Sequence, residues 1–96
     1  MKQFLISAYD FTDSEALSRR MAARAAHLEN IQVLKEQGHF IKAGAYLNEK
    51  GDMIGSAMMM QFEDRAALDL YLENEPYVGQ KVWENIEVKE IRIANI

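Results

Sequence analysis

An α+β fold with the element order βαββαβ is predicted for this chain of 96 residues, and three observations predict it. Residues 4–9 alternate in hydrophobicity with a period of two, and strand-like runs recur at 40–47, 54–62 and 82–93. Apolar residues at helical spacing fill 12–37 and a shorter stretch from residue 63. The polar loop Asn48-Glu49-Lys50-Gly51-Asp52 joins the second and third runs at a length that suits a hairpin, so these two should pair antiparallel.

In the first strand Phe4, Ile6 and Ala8 alternate with Leu5, Ser7 and Tyr9, so both faces are partly apolar. Thr12-Asp13-Ser14-Glu15 matches a capping box and opens the first helix. Leu17, Met21, Leu28 and Ile31 give that helix its apolar stripe, and Gly38 stops it after about Gln37. At roughly 25 residues it is long beside a mean of about 11 to 12, so a bend or break is expected near Ala22 to Ala25. Arg20 and His27 fall on the flank of the apolar arc at 100° per residue, and Arg24 falls within it.

The third strand carries Ile54, Met58, Met60 and Phe62 on one parity and Met53, Ala57 and Met59 on the other. Neither face is designed for water. Glu63-Asp64-Arg65 opens a second helix with Ala66, Ala67, Leu70 and Tyr71 as its packing face, and Pro76 ends it. In the last strand Ile86 and Val88 share one phase and Ile91 and Ile93 the other, which predicts a bulge near Lys89-Glu90. The whole is the ferredoxin-like, split βαβ plan: one domain over residues 1–96, an antiparallel four-stranded sheet with helices on one face. Two helices cover one face, and a second copy is the economical cover for the other. The small size of the chain and an apolar fraction of 49% point the same way.

A formal net charge of −4 with scattered Lys and Arg argues against nucleic acid as partner. The absence of cysteine removes disulfides and thiolate chemistry, including thiolate metal sites. Met1 to Tyr9 is a short apolar stretch running into Asp10, which reads as neither a signal peptide nor a membrane span, so a soluble cytoplasmic protein is expected.

The chemistry-bearing residues are few. His27 shares a helix with Arg20 and Arg24, and Asn74-Glu75-Pro76-Tyr77 offers a distant carboxylate. Imidazole is the side chain that titrates near neutrality, and fixed cations beside it suit an anionic ligand. Two histidines without a positioned carboxylate make a poor metal site, so no metal and no cofactor are expected.

Arg24-Ala25-Ala26-His27-Leu28, Ala43-Gly44, Gly55-Ser56 and Glu75-Pro76-Tyr77, in that order and spacing, resemble the YciI-like (YCII-related) family over most of the chain. The resemblance implies a dimeric α/β barrel of ferredoxin-like subunits and a site centred on a histidine, here His27, and an aspartate. Glu75 stands in the aspartate's place, and its extra methylene carries the carboxylate outward by roughly 1 Å. Ala25 and Ala45 stand where many relatives have proline. One relative is a dehydrochlorinase of a chlorinated hydroxyquinol, and the wider fold group includes muconolactone isomerases and small oxygenases. The resemblance therefore implies proton transfer on compact, anionic, often ring-derived substrates.

Two readings follow. In the first, a cofactor-independent isomerase or lyase uses His27 as general acid or base, with Glu75 fixing its tautomer. Arg24 holds a substrate carboxylate or phenolate through its planar donor fork, and Tyr9 and Ser56 make further contacts, Ser56 as donor to a developing oxyanion. Arg20 is structural. In the second, the same cleft binds a small anion or serves an interaction without turnover.

Overall fold

The computed structural model describes residues 1–96. Its elements are β1 (Lys2–Asp10), α1 (Ala16–Glu36), β2 (Phe40–Leu47), β3 (Met53–Phe62), α2 (Arg65–Glu73), α3 (Pro76–Gly79) and β4 (Trp83–Ile91). The strands form one sheet in the order β2-β3-β1-β4, with every neighbouring pair antiparallel. This is the ferredoxin-like arrangement that the sequence predicts. No helix is long and apolar enough to cross a membrane.

The period of two decides what each face of the sheet meets. Phe4, Ile6 and Ala8 on β1 sit opposite Met60, Met58 and Ser56 on β3 and are buried. They form the core with Ala23, Ile31 and Leu34 of α1 and Leu68 and Tyr71 of α2, so the helices cover this face. Leu5, Ser7 and Tyr9 pair with Met59, Ala57 and Gly55 on the other face, which carries no helix. There the Tyr9 and Tyr46 rings stack with centroids 5.0 Å apart. Both tyrosines pair with Gly55 across the ladder. A Cβ at Gly55 would lie 2.5 Å from the Ala8 carbonyl oxygen and 2.8 Å from Tyr46 Cδ2, so glycine alone permits this approach.

α1 departs from the sequence reading in three ways. It starts at Ala16, and no side chain caps it. Thr12 forms no capping box, because the chain turns through Asp13, whose carboxylate accepts the Glu15 N–H at 3.2 Å and holds the Arg19 fork at 2.8 Å on each oxygen. The helix is continuous over its 21 residues, without the break expected near Ala22 to Ala25. It presents Ala16, Arg20, Ala23, His27, Ile31 and Leu34 to the sheet, while Leu17, Met21 and Leu28 are exposed. Arg20 and His27 therefore lie inside the buried stripe and Arg24 outside it. The mixed stripe goes inward because other elements supply partners for its charged groups. At the C-terminus Gly38 has φ 82°, His39 N–H reaches the Leu34 carbonyl at 2.8 Å, and Gly38 N–H reaches that of Lys35 at 3.1 Å, a Schellman close.

In α2 the Asp64 carboxylate caps the Ala67 N–H at 2.9 Å. Leu68 and Tyr71 point inward, whereas Ala66 and Leu70 face out, a rotation from the face expected of the sequence. Pro76 ends that helix and starts another, the single turn α3, at a position where a missing N–H costs nothing. The β1–β4 register runs unbroken from Gln3↔Ile91 to Tyr9↔Asn85, so there is no bulge at Lys89-Glu90; the irregularity falls at Asp10↔Trp83. The change of phase simply sends Ile86 and Val88 to the helix side, opposite Ala8 and Ile6, and Ile91 to the open side, opposite Gln3.

Candidate functional site

β1 ends on Asp10, which keeps the buried parity of Phe4, Ile6 and Ala8. A carboxylate there needs a cation, and one turn into α1 Arg20 supplies it. Asp10 is 6% exposed and Arg20 3%. Arg20 Nη1 donates to both Asp10 oxygens at 2.9 and 3.1 Å, and its guanidinium carbon lies 4.9 Å from the centre of the Tyr77 ring. Burial pushes the Asp10 carboxyl above its ordinary range, against the opposing charge and hydrogen bonds of Arg20. Arg20 Nε is buried without an acceptor.

Arg20 Nη2 donates to Ser56 Oγ at 2.9 Å, and Trp83 Nε1 donates to the same oxygen at 3.2 Å. Both are obligate donors and together they occupy the acceptor capacity of the hydroxyl. The Ser56 proton has no acceptor inside the protein, and Ser56 lines a cavity.

Two turns along α1, His27 is held on two sides. Its ring stacks on Tyr77 with centroids 3.9 Å apart and planes 5° from parallel, and the Trp83 ring meets it edge-on at 6.0 Å. Nδ1 lies 2.5 Å from Glu75 Oε1, with the proton on Nδ1 in the neutral tautomer. Nε2 has no partner in the protein and is not among its sealed polar atoms. Glu75 is 1% exposed, yet its carboxylate is fully engaged. Oε1 also accepts the Tyr77 N–H at 3.3 Å, and Oε2 accepts the Tyr71 hydroxyl. Burial, and then the charge of Glu75, pushes the Tyr71 phenol well above its ordinary range. Burial also raises Tyr77, against the pull of Arg20 and Arg24.

His27, Arg24, Ser56 and Tyr77 open onto one cavity of about 150 Å³ between α1 and the β2–β3 edge of the sheet, with Leu28 and Met53 on its wall. That volume is of the order that holds a single benzene ring. Arg24 forms no ion pair within the chain. The cavity thus presents one lone pair on an oriented imidazole, one hydroxyl with a proton to give, and one free guanidinium. Such a set can take a proton from a small anion and stabilise charge appearing on a neighbouring oxygen. No three His, Asp or Glu side chains converge as metal ligands.

Four of the five residues singled out from the sequence thus meet: His27, Glu75, Arg24 and Ser56. Tyr9 does not join them. It lies on the opposite face of the sheet, 49% exposed and stacked on Tyr46, because its parity is that of Leu5 and Ser7. Sequence reasoning passed over Asp10, Tyr71 and the indole N–H of Trp83. Asp10 had a signal in being a charge on the core parity of a strand. Tyr71 had one in its spacing of four from Glu75 at the end of a helix.

Comparison with known proteins agrees with this fold. Protein YciI of Escherichia coli O6:H1 is 32% identical over 95 residues, covering 93% of this chain and 95% of its own. The structure is similar to 5-chloro-2-hydroxyhydroquinone dehydrochlorinase (TftG) from Burkholderia phenoliruptrix AC1100, solved in complex with 2,5-dihydroxybenzoquinone. The TM-score is 0.82 at 25% identity, over 96% of this chain and 95% of that one. A dimeric ferredoxin-like protein of unknown function from Jannaschia sp. CCS1 shares the fold with a TM-score of 0.54 at 18% identity, over 97% and 100% of the two chains. The model of the YCII-related domain matches residues 2–92, and the chain belongs to that family.

Proposed function

We propose that the protein is a small acid–base enzyme of the lyase or isomerase type, acting on a compact anionic substrate about the size of one substituted ring. The observation that carries this reading is the His27–Glu75 pair: Glu75 takes Nδ1, which leaves a lone pair on Nε2 at a cavity shared with Arg24 and Ser56. Nε2 removes a proton from the bound substrate, and Glu75 stabilises the imidazolium that results. The electron pair left behind moves onto a substrate oxygen that accepts the Ser56 hydroxyl, while Arg24 balances the charge. Return of the proton from Nε2 to another atom of the substrate completes an isomerisation. In an elimination the pair returns from that oxygen to form the new double bond, the leaving group departs with its bonding electrons, and His27 releases the proton to water. The dehydrochlorinase relative supports the lyase form, since a dehydrochlorination is an elimination.

The test uses 2,5-dihydroxybenzoquinone as ligand and 5-chloro-2-hydroxyhydroquinone as substrate. Calorimetry should give binding that weakens about 10-fold or more in Arg24→Gln, corresponding to a lost charge-assisted hydrogen bond of about 1.5–3 kcal/mol. Chloride release should accompany incubation with the substrate. Binding without chloride release favours the second reading, a binding module. Neither binding nor release removes this substrate class.

The open sheet face, with Leu5, Tyr9, Met59 and Ile91, is the natural seat of a second copy of this chain. Its partial exposure of large side chains supports a homodimer, as does the dimeric neighbour with the same fold. Sedimentation should return twice the chain mass, and Met59→Lys should return the single chain; a monomeric parent protein would refute the assignment.

A further inference from the structure

We propose that Tyr71 is a positioning residue: its hydroxyl fixes the second oxygen of Glu75 and thereby sets the tautomer of His27. The inference takes its catalytic meaning from the acid–base reading above, while its physical content stands on the buried contacts alone.

A glutamate side chain has one more torsion than an aspartate, and its terminal torsion is broad. At 1% exposure no water can hold the oxygen that His27 leaves free. Tyr71, four residues earlier at the end of α2, reaches that oxygen, while His27 and the Tyr77 N–H occupy the other. The carboxylate is held at both ends, so it cannot rotate away from Nδ1. Tyr71 therefore supplies the restraint that a longer carboxylate needs to orient an imidazole.

The groups facing the pair are few. From α1 Arg24 shares the cavity with His27, and Arg20, tied to Asp10 of β1, lies over Tyr77. Ser56 faces it from β3, and the rings of Tyr77 and Trp83 enclose it from α3 and β4. None of them other than Tyr71 reaches Oε2 of Glu75. Packing does not demand the hydroxyl, since the Tyr71 ring stacks on Phe62 at 5.9 Å and phenylalanine would stack as well.

Tyr71→Phe isolates the hydroxyl, and one measurement on the full chain needs no substrate. Imidazole ¹⁵N shifts, taken where the ring is neutral, should show His27 with its proton on Nδ1 in the parent protein and a mixture of tautomers in the variant. His39, the chain's second histidine, is the internal control; its Nδ1 lies 2.9 Å from the Gln61 carbonyl, away from Glu75. Replacing Tyr71 by 3-fluorotyrosine, a more acidic donor of nearly the same size, should keep the proton on Nδ1. In a Glu75→Gln background Tyr71→Phe should change the tautomer ratio no further. If the tautomer is unchanged in Tyr71→Phe, or the fluorinated residue also gives a mixture, Tyr71 is a packing residue and the proposal is wrong. That outcome would leave the acid–base reading standing, because a ring without a locking partner can still move protons.

Discussion

Arg20→Met is expected to lower the stability of the fold by about 3–5 kcal/mol at pH 7, the usual cost of leaving one half of a buried pair alone. Methionine keeps much of the volume of the arginine stem, so the loss reports charge rather than a void. Arg20 and Asp10 are both nearly sealed, and no other cation pairs with Asp10. The loss should depend on pH with a definite sign. Burial already raises the Asp10 carboxyl above 3.8, and Arg20 opposes that rise. Without Arg20 the opposition disappears. A carboxyl raised in the folded state contributes stability that is complete below its unfolded value and is lost as pH rises through the folded value. Urea denaturation should therefore show a smaller deficit near pH 4 than at pH 7. Equal deficits at both pH values would mean that Asp10 finds water or another partner, and would sink the account.

His27→Gln should reduce kcat about 10²- to 10⁴-fold on the substrate that tests the proposed function, the range that a positioned acid–base group contributes. Glutamine is the informative replacement because its amide can still donate to Glu75, which keeps that carboxylate paired. The fold should persist, seen as an unchanged near-ultraviolet spectrum, and ligand affinity should change far less than turnover. Turnover within a few-fold of the parent protein would exclude His27 as the proton carrier. Loss of affinity equal to the loss of turnover would make it a binding group instead.

Much of this fold was legible because local rules and tertiary demands agree. The hairpin of β2 and β3 shows its loop, its β-rich flanks and its spacing in sequence, and Phe40–Leu47 appears as predicted. The stop at Gly38 follows from backbone geometry that few other residues tolerate. The start and face of α1 were not legible. Thr12 offers a cap and Leu17, Met21 and Leu28 offer an apolar stripe, yet Asp13 prefers the Arg19 fork and the helix turns a stripe with Arg20 and His27 inward. Periodicity counts apolar residues along one segment and cannot know that Asp10 and Glu75 wait on others.

The site divides in the same way. His27, Arg24, Ser56 and Glu75 could be picked out by residue type, order and resemblance. Tyr9 could not be placed by those means, although the alternation along β1 already assigned it to the side opposite Ala8 and Asp10. By itself the sequence determined the order of the elements, the antiparallel hairpin and the identity of the residues able to carry protons or charge, since these depend on spacing and side-chain chemistry. Only the tertiary structure decided that Arg20 belongs to Asp10, that Ser56 is left with a proton to give, and that Tyr71 locks Glu75 onto His27. The physical reason is that the direction of a hydrogen bond and the burial of a charge belong to pairs of groups, and here the partners lie 10 to 48 residues apart, except for the local pair Tyr71–Glu75.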